Sequence, residues 1–288
     1  MVETLELAAG AARALIRPAD GAALAGLWVD GRPVLRPWTG GPGDGPFALA
    51  CNLLAPFSNR ISGGFTWQGQ YHALAPNLPP EPFPIHGDAF QRRWQVADAD
   101  RAGAALTLAE GAFGPWRYEG HLRYTLTPGG LQARLTLTNR AGATLPYGLG
   151  FHPWFPRDAQ TRLAFRATGV WHEDARHLPA GDHPRAPSEA WRFDTSRPLP
   201  AGWINNAFDG WAGSLVIEQG DDVVSTTLHA DAPLSTLILF SPGREADFFC
   251  AEPVSHPVDA HNLPGTPGLI ALAPGEALTA AMRLDWTV

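Results

Sequence analysis

The chain has 288 residues, of which 45% are hydrophobic and 17% charged, so it holds enough apolar side chains for a large core and does not belong to the disordered class. Its formal net charge is -7 and it shows no cluster of lysine and arginine, which excludes the basic surface of a nucleic-acid-binding protein. The sequence carries neither a secretory signal pattern nor an apolar run near the roughly 20 residues of a membrane helix, so we expect a cytoplasmic protein that does not enter the membrane.

Short strands are the predicted elements, because 28 prolines and 31 glycines interrupt the sequence too often for long helices. In chain order, strands are predicted at 14–17, 27–34, 121–126, 131–138, 214–217, 224–228, 236–240 and 278–286. The mid-chain pair alternates apolar and polar residues most clearly, and the turn Pro128-Gly129-Gly130 joins its two strands. This pair predicts a β-hairpin with one buried and one solvated face.

The number and spacing of the strands predict an all-β sandwich or barrel with little helix. No repeat of fixed period and no low-complexity linker divides the sequence, so residues 1–288 are predicted to form a single domain. The stretch 173–200 is rich in proline, histidine and charge, but Trp191 and Phe193 interrupt it. We interpret it as a long connection lying over the domain.

Four segments place polar residues inside otherwise apolar sequence, and two of them carry candidate hydrogen-bonding groups. In 56–64, Arg60 follows an apolar run and could donate a bidentate hydrogen bond to hydroxyl groups. The second segment, 83–87, carries His86. On residue type alone, an arginine paired with a surface carboxylate and a purely structural histidine are the commoner alternatives.

The other two segments carry candidate proton-transfer groups. In 147–156, aromatic residues including Trp154 surround His152; aromatic faces stack on the C–H face of a pyranose, and an imidazole exchanges protons near neutral pH. In 247–253, Glu252 follows an apolar run, where desolvation raises a carboxyl pKa toward that of a useful base. Taken singly, an aromatic core corner with a satisfied histidine and a solvated glutamate at a strand end remain open alternatives.

In their order, these segments resemble the aldose 1-epimerase (galactose mutarotase) family. The stretch 59–87, from Asn-Arg-Ile to His-Gly, resembles the family's N-terminal signature; Phe-His-Pro at 151–153 resembles its second histidine motif, and Ala-Glu-Pro at 251–253 its C-terminal glutamate motif. Each motif is short, but the ordered set spans nearly the whole chain. The resemblance implies an all-β, galactose mutarotase-like β-supersandwich of many antiparallel strands with an open groove for the sugar.

The resemblance also implies an activity, the interconversion of α and β anomers of an aldose, with a small-molecule sugar as partner and no cofactor. His152 would protonate the ring oxygen as general acid, and Glu252 would take the proton of the anomeric hydroxyl as general base. Arg60 and His86 would hydrogen-bond the sugar, with Trp154 in the aromatic wall beside them. This chemistry needs no metal and no redox group, and we expect a monomer or a weak homodimer.

One position departs from the family pattern. Asn205 falls where the family often carries an aspartate that binds sugar hydroxyls. An amide can still bond a hydroxyl, but it carries no charge. Asp209, nearby in the sequence, is a candidate substitute. The departure leaves the identity of the aldose open.

Two alternative functions use the same fold. An epimerase for a phosphorylated or sulfonated hexose would need further basic residues near the groove, for which Arg92, Arg93 and Arg117 are candidates. A non-catalytic sugar-binding protein would use the aromatic groove but would not require both His152 and Glu252.

A metal enzyme is a third alternative. His256, Asp259 and His261 fall within six residues, and further histidines stand at 172, 177 and 183. Metal ligands must converge with support from a second layer of contacts, and prolines interrupt both loops, so we expect no metal site.

Overall fold

The computed structural model describes residues 4–40 and 45–287, and within them the regular elements are strands and single-turn 3-10 helices. The strands, numbered in chain order, are β1 (Leu5–Ala9), β2 (Ala12–Arg17), β3 (Ala23–Val29), β4 (Arg32–Leu35), β5 (Cys51–Leu54), β6 (Gly64–Trp67), β7 (Gln70–Ala73), β8 (Gln95–Ala99), β9 (Gly103–Phe113), β10 (Trp116–Thr127), β11 (Gly130–Asn139), β12 (Leu145–Tyr147), β13 (Gly150–Pro156), β14 (Arg162–Phe165), β15 (Gly169–Trp171), β16 (Arg197–Pro198), β17 (Ile204–Asp209), β18 (Ser214–Glu218), β19 (Thr226–Ala230), β20 (Thr236–Ser241), β21 (Phe248–Val254), β22 (Ile270–Leu272) and β23 (Ala277–Asp285). The 3-10 helices are Pro46–Ala48, Ala89–Gln91, Glu189–Trp191 and Ala260–Asn262. The all-β prediction is confirmed, and nowhere in the described ranges is a helix long and apolar enough to cross a membrane.

Two large antiparallel sheets face each other and enclose the main core. The first has the strand order β1-β2-β3-β5-β13-β21-β20-β17-β15, with β4 added on β3, and the second has the order β16-β14-β18-β19-β23-β11-β10-β9-β8. Two small pairs, β6–β7 and β12–β22, lie outside them. One hydrophobic cluster joins Leu53 and Phe151 of the first sheet to Leu122 and Leu135 of the second, so burial between the sheets stabilises the sandwich.

The hairpin β10–β11 shows how the alternating segments form the second sheet. Leu122 pairs with Leu135 and Tyr124 with Ala133 on the buried face, while Arg123 between them is exposed. Neighbouring side chains point to opposite faces of a strand, so a strand with one solvated face carries a period of two. The predicted hairpin is confirmed.

The central strands of the first sheet are buried on both faces. Every residue of β5 is buried, as are nearly all residues of β13 and β21. One face packs on the core, and loops cover the other. A strand that is buried on both sides shows no alternation, which is why periodicity did not predict β5 and β13.

The prediction of one strand at 27–34 is wrong. β3 ends at Val29 and β4 begins at Arg32, and between them Asp30 and Gly31 have φ values of 51° and 77°. Two consecutive residues with positive φ form the tight turn that suits the twist of a hairpin, and Asp-Gly is a preferred pair for it. The chain therefore reverses at this point, and β4 pairs back onto β3.

The register of the first sheet brings the candidate residues to one face. Trp154 of β13 pairs with Cys250 of β21, so two residues along the antiparallel pair His152 stands opposite Glu252. β20 pairs with β21 on one side and with β17 on the other, and in this register Asn205 of β17 points to the same face of the sheet as Glu252. These side chains point away from the core, toward the covering loops.

Candidate active site

A cavity of about 290 Å³ lies on the face of the first sheet that is turned away from the core. It is lined by the six residues predicted for the site, Arg60, His86, His152, Trp154, Asn205 and Glu252. Further lining residues, which the sequence analysis did not select for sugar binding, are Phe47, Asn59, Glu81, Ile85, His177, Trp203 and Phe240. A cavity with aromatic walls and converging polar groups is typical of a small-molecule site.

His152 and Glu252 are in contact in the cavity wall. Nε2 of His152 lies 3.4 Å from Oε1 of Glu252, and the two side chains are 8% and 3% exposed. The second carboxyl oxygen, Oε2, is buried and has no hydrogen-bond partner among the atoms of the described ranges. A buried polar atom left without a partner costs stability. Because Oε2 belongs to a residue that lines the cavity, we expect a bound ligand to supply its hydrogen-bond partner.

Burial shifts both members of this pair toward their neutral forms. Desolvation raises the pKa of Glu252 from the usual 4.5 to about 8, against the opposing effect of the positive charge on Arg60. Desolvation lowers the pKa of His152 from 6.5 to about 3, and the charge of Arg36 acts in the same direction. Near neutral pH the pair therefore holds one transferable proton, which resides on the carboxyl group.

His86 is fixed as a hydrogen-bond donor. Its Nδ1 accepts the backbone N–H of Asn59 at 3.0 Å, so the neutral ring carries its proton on Nε2. Burial, reinforced by the neighbouring His152, lowers the pKa of His86 well below its usual value and keeps the ring neutral. The ring stands edge-on to His152, with centroids 5.2 Å apart. His86 thus offers an N–H beside His152 and Glu252.

A left-handed turn holds His86 in this position. His86 and Gly87 have φ values of 60° and 66°. The side-chain amide of Asn77 donates to the carbonyl oxygens of Ile85 at 2.9 Å and of Gly87 at 2.7 Å, which stabilises both sides of the turn. A Cβ at Gly87 would lie only 2.0 Å from the carbonyl oxygen of Ala55, so the close approach of the two backbone segments requires glycine.

Arg60 is held by Glu81, a residue that the sequence analysis missed. Nε and Nη2 of Arg60 donate to the two carboxyl oxygens of Glu81 at 2.9 and 2.8 Å. This bidentate geometry fixes the plane of the guanidinium and neutralises its charge. Glu81 stands among prolines, between the candidate segments 56–64 and 83–87, and that position was the signal that could have drawn attention to it.

Two of the residues considered as metal ligands, His256 and Asp259, support the loop behind Arg60. Nε2 of His256 accepts the backbone N–H of Ser58 at 3.0 Å. The Asp259 carboxylate accepts from the backbone N–H and the hydroxyl of Ser62 at 2.9 and 2.8 Å. In the described part of the chain, no group of three or more His, Cys, Asp or Glu residues is arranged to hold a metal ion.

The tryptophan that is most open to a ligand in the aromatic wall is not the predicted one. Trp154 stacks on His152, with centroids 5.1 Å apart and ring planes 10° apart, and the Arg36 guanidinium lies 4.2 Å from its ring centroid. Trp154 is only 8% exposed, so little of its surface is available for stacking on a sugar. Trp203, which lines the same cavity, is 49% exposed and packs edge-on against Phe240. The larger open aromatic surface is therefore that of Trp203.

Asn205 is held by a carboxylate from another loop. Its Nδ2 donates to Oε2 of Glu173 at 2.8 Å. Asp209, the candidate substitute for the family aspartate, lies at the other end of β17 and pairs in the backbone ladder with Gly169. The sequence analysis assigned no role to Glu173, because the 173–200 stretch shows no pattern that would place it against β17.

None of the three candidate phosphate-binding arginines, Arg92, Arg93 and Arg117, lines the cavity, and two of them are bonded elsewhere. Arg92 forms an ion pair with Asp88, with Nε and Oδ2 2.6 Å apart. Arg117 donates to the carbonyl oxygens of Gly114 and Trp116 at 3.0 and 2.7 Å. Within the described ranges, the guanidinium that lines the cavity is that of Arg60.

Comparison with known proteins agrees with this architecture. The family model described as aldose 1-epimerase matches residues 3–285. The chain is 36% identical over 276 residues to the uncharacterized protein YphB of Escherichia coli K12, with 93% of this chain and 94% of that protein covered. It is also 31% identical over 272 residues to the uncharacterized protein YihR of the same organism, with 90% and 86% covered.

Solved structures match the fold over nearly its full length. A provisionally named aldose 1-epimerase from Escherichia coli K12 has a TM-score of 0.92 and 33% identity, with 99% of each chain covered. A galactose mutarotase-like protein from Clostridium acetobutylicum has a TM-score of 0.81 and 19% identity, with 98% of this chain and 94% of that chain covered. The family model extends over the two sheets and every cavity-lining residue, the relatives above 30% identity cover 90% or more of the chain, and on that basis the chain belongs to the aldose 1-epimerase family.

Proposed function

We propose that the protein interconverts the α and β anomers of an uncharged aldose by acid–base opening and reclosure of the sugar ring. The observation that carries this proposal is the contact between Nε2 of His152 and Oε1 of Glu252, 3.4 Å apart in the cavity wall. The anomeric oxygen and the ring oxygen of an aldose are bonded to the same carbon, so two groups in contact can each reach one of them.

The reaction moves one proton through this pair in each half-cycle. The Glu252 carboxylate takes the proton of the anomeric hydroxyl, the electrons of that O–H bond form the aldehyde C=O, and the bond from C1 to the ring oxygen breaks. The ring oxygen keeps that electron pair and takes a proton from His152. Rotation about C1–C2 and the reverse transfers give the other anomer and restore both groups. His86 stabilises the negative charge that develops on oxygen by donating from Nε2.

The pKa shifts favour one of the two arrangements of the proton in this pair, and the sugar must favour the other. Ring opening starts with the proton on His152 and ends with it on Glu252, so both arrangements contain the same number of protons. Desolvation favours the neutral arrangement, in which Glu252 holds the proton. A sugar hydroxyl that donates to the Glu252 carboxylate favours the other one, because a hydrogen bond to the ionised form stabilises it. Binding of the sugar therefore shifts the proton from Glu252 toward His152, the arrangement from which ring opening starts.

The charges around the cavity favour an uncharged substrate. Arg60 already gives two hydrogen bonds to Glu81. A phosphate or sulfonate would have to displace Glu81 or remain unpaired near Glu252, and either arrangement costs free energy. Free aldoses fit this arrangement better than phosphorylated or sulfonated hexoses.

The test is NMR exchange spectroscopy or polarimetry on freshly dissolved aldoses, free and phosphorylated, with wild type and with Glu252→Gln and His152→Ala. We expect wild type to accelerate anomerisation of free aldoses, and each substitution to reduce kcat by about 10² to 10⁴-fold, the usual contribution of a general acid or base. Near-wild-type turnover by either variant would contradict its role.

Two exposed residues of the second sheet provide matched controls, Glu218→Gln and His121→Ala, which should keep wild-type rates. Protection of the variants against thermal unfolding by the sugar separates loss of chemistry from loss of binding. Sugar binding by wild type without acceleration would identify a non-catalytic sugar-binding protein instead.

A further inference from the structure

The carboxylate of Glu173 bonds three side chains of one cavity wall. Glu173 follows β15 on a loop that bridges back to Pro179. Its Oε1 accepts from Nε1 of Trp203 at 2.6 Å, and its Oε2 accepts from Nδ2 of Asn205 at 2.8 Å. Nδ1 of His177 lies 2.7 Å from the same Oε2. All three partners line the cavity, whereas Glu173 stands behind them, with its side chain 19% exposed.

These contacts determine which atoms the wall presents to a ligand. An ionised carboxylate only accepts hydrogen bonds, so the amide of Asn205 must turn its NH₂ group toward Glu173 and its Oδ1 away from it. For the same reason His177 donates from Nδ1 to Glu173. The indole N–H of Trp203 is bound in the same way, which holds the ring in one orientation although 49% of the residue is exposed. The wall therefore combines an oriented carbonyl acceptor with an oriented aromatic face.

Glu173 and Asn205 are chemically matched. An aspartate at position 205 would bring a second carboxylate to the place where 2.8 Å now separates the amide nitrogen from Oε2. Two carboxylates at hydrogen-bonding distance cannot both remain ionised without a large cost, so one of them would have to bind a proton or move. With Glu173 present, the amide is the group that can accept from a sugar hydroxyl at this position.

We propose that Glu173 is a positioning residue that sets the hydroxyl selectivity of the cavity. It holds Asn205 so that Oδ1 accepts a hydrogen bond from one sugar hydroxyl, and it holds Trp203 so that the ring packs on the adjoining C–H face. The substrate class that fits is an uncharged aldose with a free hydroxyl directed at Asn205. This inference rests on the proposed function for its kinetic test, but not on which of His152 and Glu252 gives the proton first.

The test is a double-mutant cycle with Glu173→Gln, Asn205→Asp and both together. For Glu173→Gln we expect KM to rise about tenfold with kcat within about threefold, because binding is weakened while the proton-transfer pair is untouched. Asn205→Asp alone should raise KM by about tenfold or more. In the Glu173→Gln background the same change should cost less than about threefold, because the new glutamine can donate to the new aspartate.

Glu218→Gln, the loss of a carboxylate far from the cavity, is the matched control and should leave KM unchanged. A wild-type-like melting temperature of each variant shows that it is folded. Equal costs of Asn205→Asp in the two backgrounds, or a loss of kcat without a change in KM for Glu173→Gln, would overturn the proposal.

The outcome separates this inference from the proposed function. If wild type accelerates anomerisation and the cycle shows no coupling, only the role of Glu173 is wrong. If wild type binds a free aldose without accelerating it, the proposed function is wrong, and the same cycle is then measured as the aldose Kd from thermal shifts, with the same expected factors. If wild type neither binds nor converts any free aldose of the panel, both proposals fail.

Discussion

Burial makes Glu252 a different acid from an exposed glutamate. The carboxyl group stands on a fully covered strand, where desolvation favours its protonated form, and the adjacent His152 is kept neutral by the same effect. Proton exchange with a sugar requires one proton in the pair, neither none nor two. The pH dependence of activity follows from this count, and that of stability from the raised pKa of Glu252.

Activity is predicted to fall at alkaline pH. Between about 3 and about 8 the pair holds one proton, and above about 8 Glu252 ionises while His152 is already neutral, so no proton is left to transfer. The profile of kcat/KM against pH should therefore be flat near neutrality and decline with an apparent pKa close to 8. A decline on the acid side with a midpoint near 6.5, the usual value for an exposed histidine, would contradict the buried pair.

Glu252 is predicted to make the folded protein less stable as pH rises. Its pKa is about 8 in the folded protein and near 4.5 in the unfolded chain, so within that range the folded state binds the extra proton and the free energy of unfolding decreases as pH rises. Between pH 6.5 and 8 the contribution of Glu252 alone to the free energy of unfolding should fall by about 2 kcal/mol. The buried histidines His86, His152, His256 and His261 act in the opposite direction near pH 6.5, because they bind a proton only in the unfolded chain.

The measurement is urea unfolding of wild type and Glu252→Gln at several pH values in that range. The variant cannot ionise at this position, so its unfolding free energy minus that of wild type should increase by about 2 kcal/mol from pH 6.5 to 8, and it should be the more stable protein at pH 8. Glu218→Gln is the control and should keep the wild-type slope. Parallel slopes for wild type and Glu252→Gln would show that Glu252 is not the titrating group.

At the scale of elements, the turn that carries His86 is sensitive to a single methyl group. Gly87→Ala would place Cβ 2.0 Å from the carbonyl oxygen of Ala55, on a backbone with φ of 66°. Gly63 has φ of 83° but faces open space, so the cost of Gly63→Ala comes only from placing an alanine at a positive φ value. We expect a loss of about 1 kcal/mol for Gly63→Ala and of about 3 kcal/mol or more for Gly87→Ala, from urea unfolding. Equal losses would mean that the segments can move apart at little cost.

The elements that could be predicted from the sequence are those with one solvated face. The hairpin β10–β11 alternates because water meets one side of it, and that periodicity is visible in the residues themselves. β5 and β13 lack the pattern because both of their faces are covered. The turn at Asp30-Gly31 was visible in the sequence, but the apolar residues on both sides of it suggested one continuous strand.

At the scale of the whole molecule, the site residues that belong to sequence motifs could be predicted. Those that only the fold brings to the cavity could not. His86, His152 and Glu252 belong to ordered motifs, and the structure brings all three to one cavity. Glu81 and Glu173 act through contacts with residues 21 and 32 positions away in the sequence. No local pattern encodes such contacts, since they depend on how loops cross the finished sheet.

The strand order has a consequence for how such a protein can change. His152 and Glu252 stand on hydrogen-bonded neighbours in the interior of a ten-stranded sheet, so the spacing of their backbone positions cannot change unless the ladder itself breaks. Glu81 and Glu173, the carboxylates that hold Arg60 and Asn205, are anchored on connections whose length and composition the sheet does not constrain. Exchanging those connections should therefore redirect the protein to another sugar while the reacting atoms keep their spacing, which makes the covering segments, rather than the strands, the place to engineer a new preference.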